Sequence, residues 1–392
     1  MISVEEALAR CLALCTPIGT EEIPLRHAAG RWMPAPAHAL RDQPPFAASA
    51  RDGYAVAGGN APGTSYEVIG EAGAGHGFAG TLSPGQALRI FTGAPVPQGA
   101  ERVVIQEDVD RADDRITVRP GADAATHIRP AGQDFSRGAA LMPRLIGPND
   151  LALLAAMNIP RVTVSRRPVV ALIATGDELV MPGDDPAPDQ IIASNAFALA
   201  ALVEAAGGEA RMLPIAPDRE AELAQSFALA RGADLIVTIG GASVGDHDLV
   251  ARVATGLGLE RAFWKIAMRP GKPLMAGRIL GTPMLGLPGN PVSAIVCGHL
   301  FVLPMLRALL GIPDPAPKPL RATLGTDVGP TGNRTHYMRA RLTAGEGGPV
   351  VTPFDRQDSA LLSILSEATA LLIRPVNDIA RPAGSAVTYL PL

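Results

Sequence analysis

The chain has 392 residues, a formal net charge of −4, 47% apolar residues and 18% charged residues. A chain of this length is longer than a single domain with one hydrophobic core usually is, so the sequence predicts two or more domains. The high apolar and low charged content excludes an intrinsically disordered chain. The slight net acidity, without any run of basic residues longer than two, excludes the electrostatic footprint of a nucleic-acid-binding protein.

The sequence shows no signal for secretion, membrane insertion or disulfide bonding. The N-terminus lacks the basic segment of a secretory signal, and we find no apolar run of the roughly 18 residues that a membrane span needs. We therefore expect a cytoplasmic protein with no membrane partner. The odd number of cysteines, Cys11, Cys15 and Cys297, argues against a disulfide framework. Cys11 and Cys15, four residues apart, are predicted as the buried face of a helix rather than as zinc ligands.

The first part of the chain predicts a helical and extended region that is interrupted by a small β domain. Ser3 precedes a helical apolar spacing that ends before Pro17, and residues 23–45 are predicted to be an extended connection. Short alternating runs between Gly and Pro turns predict β strands over residues 55–137. A second helix is predicted from Pro148 to Met157. We therefore expect a discontinuous domain, residues 1–44 and 138–166, with a β domain, 45–137, inserted in it.

Apolar strands alternate with helices after Pro168, which predicts βαβ units around a mostly parallel sheet in a three-layer α/β domain. The predicted strands are 169–174, 210–215, 234–239 and 283–287; the predicted helices are 194–206, 219–231 and 291–310. Residues 263–268 and 274–279 are predicted to add a further β element. This domain is assigned to residues 167–314, and residues 315–392 are predicted to form a second, barrel-like β domain.

Several loops at the carboxyl ends of these strands predict a site for an anionic ligand. Thr175-Gly-Asp-Glu ends in two adjacent carboxylates that suit a hydrated divalent cation. Gly240-Gly-Ala-Ser-Val-Gly lets backbone N–H groups approach an anion, with Asp246 and Asp248 directly behind. Pro288-Gly-Asn-Pro opens a helix whose N-terminus favours an anion. Arg269-Pro-Gly-Lys adds two cations.

Each of these loops, taken alone, is more often an ordinary turn, and their joint appearance at consecutive strand ends is what favours a functional site. The pattern is not the dinucleotide fingerprint, because no Gly-x-Gly-x-x-Gly opens a helix after the first strand. The P-loop motif is absent as well. On their own, Asp52-Gly and Phe91-Thr-Gly-Ala-Pro in the β domain are turns, and Arg129 with Asp134 equally forms an exposed pair of little energetic value.

Seven motifs in order identify a family resemblance. The chain resembles the molybdopterin molybdenumtransferases, the bacterial MoeA enzymes, and is similar to the E domain of gephyrin and to its plant counterpart. The motifs are Asp52-Gly-Tyr-Ala-Val, Thr92-Gly-Ala-Pro-Val-Pro, Arg129-Pro-Ala-Gly-Gln-Asp, Thr175-Gly-Asp-Glu-Leu, Gly240-Gly-Ala-Ser-Val-Gly, Arg269-Pro-Gly-Lys-Pro and Gly286-Leu-Pro-Gly-Asn-Pro-Val-Ser.

The resemblance implies an enzyme that inserts molybdate into adenylylated molybdopterin and hydrolyses the adenylate with Mg²⁺, releasing AMP and molybdenum cofactor. It implies a homodimer in which Asp52 and Thr92 come from the other subunit to complete a composite site. Molybdopterin adenylyltransferase and the chaperones of downstream molybdoenzymes are candidate partners. Molybdate and tungstate are both left open as the preferred oxyanion.

The resemblance also implies roles for individual residues, which physical chemistry makes reasonable for a phosphorylated substrate. The catalytic set is Asp52, Thr92, Asp134, Glu178, Asp218 and Asp248. The metal set is Glu178, Asp246 and Asp248. The substrate-binding set is Gly240, Gly241, Ser243, Gly245, Lys265, Arg269, Lys272, Pro288, Gly289, Asn290, Pro291, Arg339 and Ser359.

Three positions depart from the family pattern: Arg51 replaces a methionine, Arg269 a lysine, and Asp358 a glycine of the Gln-x-Ser motif. The last puts a turn with positive φ in doubt. Two other functions remain as alternatives. A non-catalytic pterin-binding or scaffolding module is disfavoured by the joint presence of the acids, and a molybdopterin-adenylylating paralogue by the additional domains.

Overall fold

The chain divides into two compact units, Met1–Glu21 with Ser165–Leu392, and Glu22–Val164. The structure is a computed structural model that describes residues 1–59, 61–241 and 249–392. The architecture is the predicted one: a multidomain α/β protein with an α/β domain, mixed sheets and a C-terminal barrel-like β domain.

The N-terminal helix α1 (Val4–Ala13) begins as predicted after Ser3, whose side-chain oxygen accepts a hydrogen bond from the Glu6 amide at 3.0 Å. Its buried residues, among them Cys11, join the main core of the first unit. The sequence groups this helix with residues 138–166, whereas its contacts place it in the unit that contains the α/β domain. Helical spacing predicts which face is buried but does not predict which domain covers that face. The cysteines are free. Cys11 is buried as expected, whereas Cys15, which was also predicted to be buried, is only partly buried; Cys297 is buried as well.

The second unit contains the predicted small β domain and the second helix, α2 (Pro148–Ala156). A six-stranded sheet has the order β8-β5-β7-β6-β10-β9, and shorter ladders join β11 to β4, β12 to β3 and β13 to β2. The region predicted as an extended connection therefore carries short paired strands. In chain order, with β1 and β14 at the two crossings between the units, the strands are β1 (Thr20–Pro24), β2 (Trp32–Met33), β3 (Ala37–His38), β4 (Ala48–Ser49), β5 (Gly53–Val56), β6 (Ser65–Ala72), β7 (Gln86–Ile90), β8 (Arg102–Ile105), β9 (Val109–Ala112), β10 (Arg115–Val118), β11 (Ile128–Arg129), β12 (Ala140–Leu141), β13 (Arg144–Leu145) and β14 (Arg161–Ser165).

The α/β domain has the sheet order β18-β15-β19-β23-β22-β20. The first four strands are parallel, and β22 runs antiparallel to both of its neighbours, β23 and β20. Its strands are β15 (Val169–Ala174), β16 (Leu179–Val180), β17 (Ile191–Ile192), β18 (Glu209–Met212), β19 (Leu235–Ile239), β20 (Glu260–Trp264), β21 (Met268–Arg269), β22 (Met275–Ile279) and β23 (Thr282–Leu287). Its helices are α3 (Asn195–Ala205), α4 (Glu220–Leu229), α5 (Leu249–Gly256), α6 (Pro291–Cys297) and α7 (Leu303–Leu309).

Two cores cover the two faces of this sheet, which confirms the three-layer prediction. Along β15, Val170 and Leu172 enter the core that contains α3, α6 and α7, while Ala171 and Ile173 enter the core that contains α4 and α5. Both faces being covered explains the continuous apolar run of this strand. Helix α5 was not predicted, because it has only eight residues and follows a glycine-rich stretch of sequence.

Residues Pro291–Leu309 form one helical stretch, with a π turn over Gly298–Val302. In the described part of the chain, this is the one helix long and apolar enough to cross a membrane by length and composition. The sequence expectation that no such run occurs was therefore too strict. In the structure, 72% of the apolar window is buried inside the protein, as in a core helix.

The C-terminal domain is a closed barrel, as predicted. Its strands pair in the ring β24-β26-β25-β27-β28-β24, so that no barrel edge is left unpaired. The short strand β21 of the α/β domain pairs with β25. The elements are β24 (Leu320–Leu324), β25 (Thr335–Gly345), β26 (Gly348–Pro353), α8 (Leu362–Glu367), β27 (Ala370–Arg374) and β28 (Ala386–Pro391).

Candidate active site

A cleft of about 970 Å³ opens at the carboxyl ends of β15, β19 and β23 in the first unit. The strand order reverses at β15, because the chain runs from β15 to its neighbour β18 and then returns to β19 on the other side. Such a reversal leaves a crevice beyond the strand ends where ligands bind in open α/β sheets. The predicted loops after all three strands line this cleft.

The loop after β19 needs glycine at Gly240 and Gly241. Gly240 has φ +94° and Gly241 φ +65°, a region that residues with a Cβ rarely adopt. A Cβ on Gly240 would also lie 2.7 Å from the carbonyl oxygen of Thr175, the first residue after β15. The two loops therefore meet backbone to backbone at the floor of the cleft, which leaves room for a ligand to approach the main chain.

The Pro288-Gly-Asn-Pro loop is fixed from two sides. The Asn195 side chain, at the start of α3, donates a hydrogen bond from Nδ2 to the Gly289 carbonyl oxygen at 2.8 Å. The amide of Val292, in the first turn of α6, donates to the carbonyl oxygen of Ser359 in the C-terminal domain at 3.0 Å. Gly289 and Asn290 stay exposed at the cleft.

Two acidic side chains line the cleft, and a third lies beside them. Glu178 and Asp218 line it, and the Asp218 amide donates to the Asp177 carboxylate at 3.1 Å. Burial raises the pKa of Asp218, and the negative charges of Asp177 and Glu178 raise it further. Both burial and the neighbouring negative charges disfavour the ionised form of Asp218, and a bound cation would favour it.

Magnesium in phosphate-processing sites is held by one or two carboxylates together with substrate phosphates. Glu178 and Asp218 fit that donor set. Within residues 1–59, 61–241 and 249–392, no group of three or more His, Cys, Asp or Glu side chains is arranged to hold a metal ion by itself. The predicted ligands Asp246 and Asp248, and the predicted phosphate contacts Ser243 and Gly245, lie outside the described residues.

Arg339 reaches the cleft only through a loop. Its side chain is 1% exposed, and it donates to the carbonyl oxygens of Leu361 at 3.3 Å and Arg356 at 3.4 Å. The Gln357 side chain makes two hydrogen bonds to the backbone of Arg339. It donates to the Arg339 carbonyl oxygen at 2.9 Å and accepts from the Arg339 amide at 3.0 Å. These contacts hold the segment that brings Ala360 and Leu362 to the cleft.

Asp358 shows how the departure in the Gln-x-Ser motif is accommodated. Its carboxylate accepts a hydrogen bond from the Ala360 amide at 2.8 Å. Asp358 is not among the residues with positive φ. The side chain thus stabilises the turn without the backbone conformation that would favour glycine.

The three predicted cations do not line the cleft. These three, besides Arg339, are Lys265, Arg269 and Lys272. The Lys265 ammonium lies 4.0 Å from the centre of the Trp264 ring. Arg269 lies in β21 beside the barrel, where burial, followed by the positive charge of Arg269, lowers the pKa of His336 to about 4. Of the Arg269-Pro-Gly-Lys-Pro motif, Pro273 rather than Lys272 borders the cleft.

Asp52 and Thr92 form a pair in the second unit. The Asp52 carboxylate accepts hydrogen bonds from the Thr92 amide and hydroxyl, both at 2.7 Å. These bonds, the amide first, lower the pKa of Asp52, and the charge of Arg89 lowers it further. Asp134 is exposed in the same unit, and its amide donates to the Gln43 carbonyl oxygen at 2.9 Å. The structure thus brings Thr92 against the Asp52 carboxylate and favours the ionised form of that carboxylate.

Several cleft residues were not predicted. They are Ile191, Ile192, Ser194, Asn195, Arg252, Ala360 and Leu362. Ser194 and Asn195 were visible in the sequence only as the start of a predicted helix. Arg252 lies on the unpredicted α5, so no sequence signal pointed to it.

Three sequence-family descriptions match the chain in order. They are "MoeA N-terminal region (domain I and II)" over residues 2–158, "Probable molybdopterin binding domain" over 171–308 and "MoeA C-terminal region (domain IV)" over 321–392. The fold and the cleft therefore define a multidomain protein built around a molybdopterin-binding type of domain.

Similar proteins support a narrower statement. The chain is 34% identical to a molybdopterin molybdenumtransferase of Nostoc sp., over 95% of this chain and 89% of that protein. It is 35% identical to molybdopterin molybdenumtransferase 2 of Mycobacterium tuberculosis, over 98% of each. A molybdopterin biosynthesis MoeA crystal structure from Pyrococcus horikoshii, 30% identical, superposes with a TM-score of 0.86 over 100% of this chain and 99% of that one. The chain belongs to the molybdopterin molybdenumtransferase family, the MoeA family of transferases.

Proposed function

We propose that this protein completes molybdenum cofactor by inserting molybdate into adenylylated molybdopterin, with magnesium-dependent hydrolysis of the adenylate and release of AMP. Membership of the family supports the reaction class. The observation that carries the proposal is the single cleft in which carboxylates, glycine turns and the start of α6 come together. A ligand that carries phosphates and a bound cation needs this combination.

The roles follow from the chemistry of each group. Gly241 and the Pro288 loop would offer backbone N–H groups to phosphate oxygens, whereas the Gly240 amide already donates to the Leu287 carbonyl oxygen at 3.1 Å. Glu178 and Asp218 would hold Mg²⁺, which when bound supplies neutralisation of the phosphate charge.

Asp52, Thr92 and Asp134 belong to the proposal through a dimer. We assign them to the opposite wall of a composite site, contributed by a second copy of the chain. A low pKa keeps Asp52 ionised, so that it would orient a cation or a hydroxyl rather than donate a proton. A homodimeric, cytoplasmic enzyme that receives its substrate from molybdopterin adenylyltransferase completes this proposal.

The test is AMP release from adenylylated molybdopterin by the purified protein, with and without molybdate and Mg²⁺. We expect release only when both are present. Release that is equal in all four conditions, or absent from all four, contradicts the proposal.

A further inference from the structure

Arg252 is a cationic residue that lines the cleft and has no role in the reaction proposed above. It lies in α5, three residues after Leu249, so that both side chains occupy one face of the helix. These two residues line the cleft, while Val250 and Val253 on the other face are buried in the core. Because α5 packs with its valine face in the core, Arg252 lies at the cleft.

The balance of charge in the cleft indicates why a cation at this position matters. Among the described residues that line it, Glu178 and Asp218 are acidic and Arg252 is the one with a cationic side chain. Beside two carboxylates, a phosphate ligand is stabilised by a cationic side chain, because charge-assisted hydrogen bonds to phosphate are stronger than neutral ones. Arginine suits this role, because its planar guanidinium binds two phosphate oxygens at once.

The present partner of Arg252 is easily exchanged. Arg252 Nε lies 2.9 Å from Glu220 Oε1, and the two side chains are 59% and 66% exposed. Solvent-exposed ion pairs stabilise proteins very little. The guanidinium can therefore leave Glu220 for an anion in the cleft at small energetic cost.

We propose that Arg252 binds a phosphate group of the ligand and that Glu220 competes with this phosphate for the guanidinium. The inference rests on the proposed function in one respect, namely that the cleft receives a nucleotide phosphate. In this proposal α5 contributes a substrate-binding residue, and Glu220, the first residue of α4, lowers the affinity for the phosphate. The two residues should have opposite effects on affinity.

Calorimetric titration of the full chain with AMP tests this assignment. We expect Arg252→Gln to weaken AMP binding roughly tenfold, as for the loss of a hydrogen bond to a charged group, and Arg252→Lys to weaken it less. Glu220→Gln should strengthen binding about twofold, since an exposed competitor is removed. The matched controls are Arg219→Gln and Glu222→Gln, which alter a neighbouring exposed pair at 3.4 Å and should leave the affinity unchanged.

Adenosine serves as the probe without phosphate, and Arg252→Gln should not alter its affinity. Equal AMP affinity of wild type and Arg252→Gln, no AMP binding by wild type, or an equal loss of adenosine binding overturns the assignment. The proposed reaction fails separately: if wild type releases no AMP from adenylylated molybdopterin while Arg252→Gln still binds AMP more weakly, the reaction is wrong and the role of Arg252 stands.

Discussion

Gly240 combines a positive φ of +94° with a close approach of the Thr175 carbonyl oxygen. We expect Gly240→Ala to lower the free energy of unfolding by about 2–3 kcal/mol, because backbone strain adds to a clash with main chain that cannot rotate away. Substrate affinity should fall as well. Chemical denaturation and a titration with AMP measure the two effects.

The matched control is Gly232→Ala. Gly232 has φ +79°, but no atom lies within 4 Å of a Cβ added there. This variant should lose about 1 kcal/mol from backbone strain alone, with AMP binding intact. Equal losses in the two variants would contradict the close contact between the loops.

Asp218 opposes folding at neutral pH. Because burial and the charges of Asp177 and Glu178 raise its pKa, the folded protein binds this proton more tightly than the unfolded chain does. The penalty is therefore present at neutral pH and disappears as the pH falls below the ordinary Asp value of about 4. Asp218→Asn should be more stable than wild type at pH 7, by less than about 1 kcal/mol, and equally stable near pH 3.5.

Thermal unfolding at the two pH values checks this prediction. AMP release should fall strongly in the same variant, because Asp218 is proposed to hold Mg²⁺. A variant that gains stability and loses activity is expected where a charge is kept for function at a cost in stability. A variant that is less stable than wild type at pH 7 would show that Asp218 has a structural rather than a ligand-binding role.

The loop between β26 and α8 depends on one buried arginine. Arg339→Met leaves the Leu361 and Arg356 carbonyl oxygens without their donor, and we expect a loss of about 2–3 kcal/mol in the free energy of unfolding. The KM for adenylylated molybdopterin should rise, because the loop carries Ala360 and Leu362. Urea denaturation and steady-state kinetics measure both.

Arg341→Met is the control on the same strand. Arg341 pairs with Glu367 at 2.8 Å at the surface, with both side chains more than half exposed. This variant should change stability by less than about 0.5 kcal/mol. If it is as damaging as Arg339→Met, the barrel surface rather than the loop explains the effect.

The barrel is stabilised by a buried ion network. Asp378 accepts hydrogen bonds from Arg381 and from Arg374 at 2.6 Å. Hydrogen bonds from Arg381 first, and then from Arg374, lower the pKa of Asp378 to about 2. Its contribution is therefore present above the ordinary Asp value of about 4 and is lost as the pH falls toward 2.

Asp378→Asn should cost about 3 kcal/mol at pH 7, because Arg374 is left buried without its counter-charge. The difference from wild type should shrink toward pH 2. Glu367→Gln, which alters an exposed pair of the same domain, should change little. Denaturant unfolding across this pH range measures the effect, and a difference that does not depend on pH would contradict the lowered pKa.

Elements with strong local signals could be predicted from the sequence. The Ser3 cap, the apolar run of β15 and Pro291 at the start of α6 each specify their own structure. Helix α5 and the side on which α1 packs could not be predicted, since short helices and domain contacts depend on partners far away in the chain. For the same reason, sequence motifs found the glycine and acidic loops of the cleft but not Arg252 or Asn195.

At the scale of the whole molecule, the proposed composite site predicts complementation between subunits. A mixed population of Asp52→Ala and Glu178→Ala chains should recover part of the activity, because a dimer of the two retains one intact site. Light scattering should give twice the chain mass of 40.5 kDa. A mixture as inactive as the separate variants, or a monomeric wild type, would contradict the composite site.

The most direct test of the proposed reaction is a single turnover with adenylylated molybdopterin, molybdate and Mg²⁺, in which AMP and molybdenum cofactor are quantified together. We predict that they form in equal amounts and at the same rate, and that Glu178→Gln forms neither. AMP formed without molybdenum cofactor, or cofactor formed without AMP, would contradict the proposal.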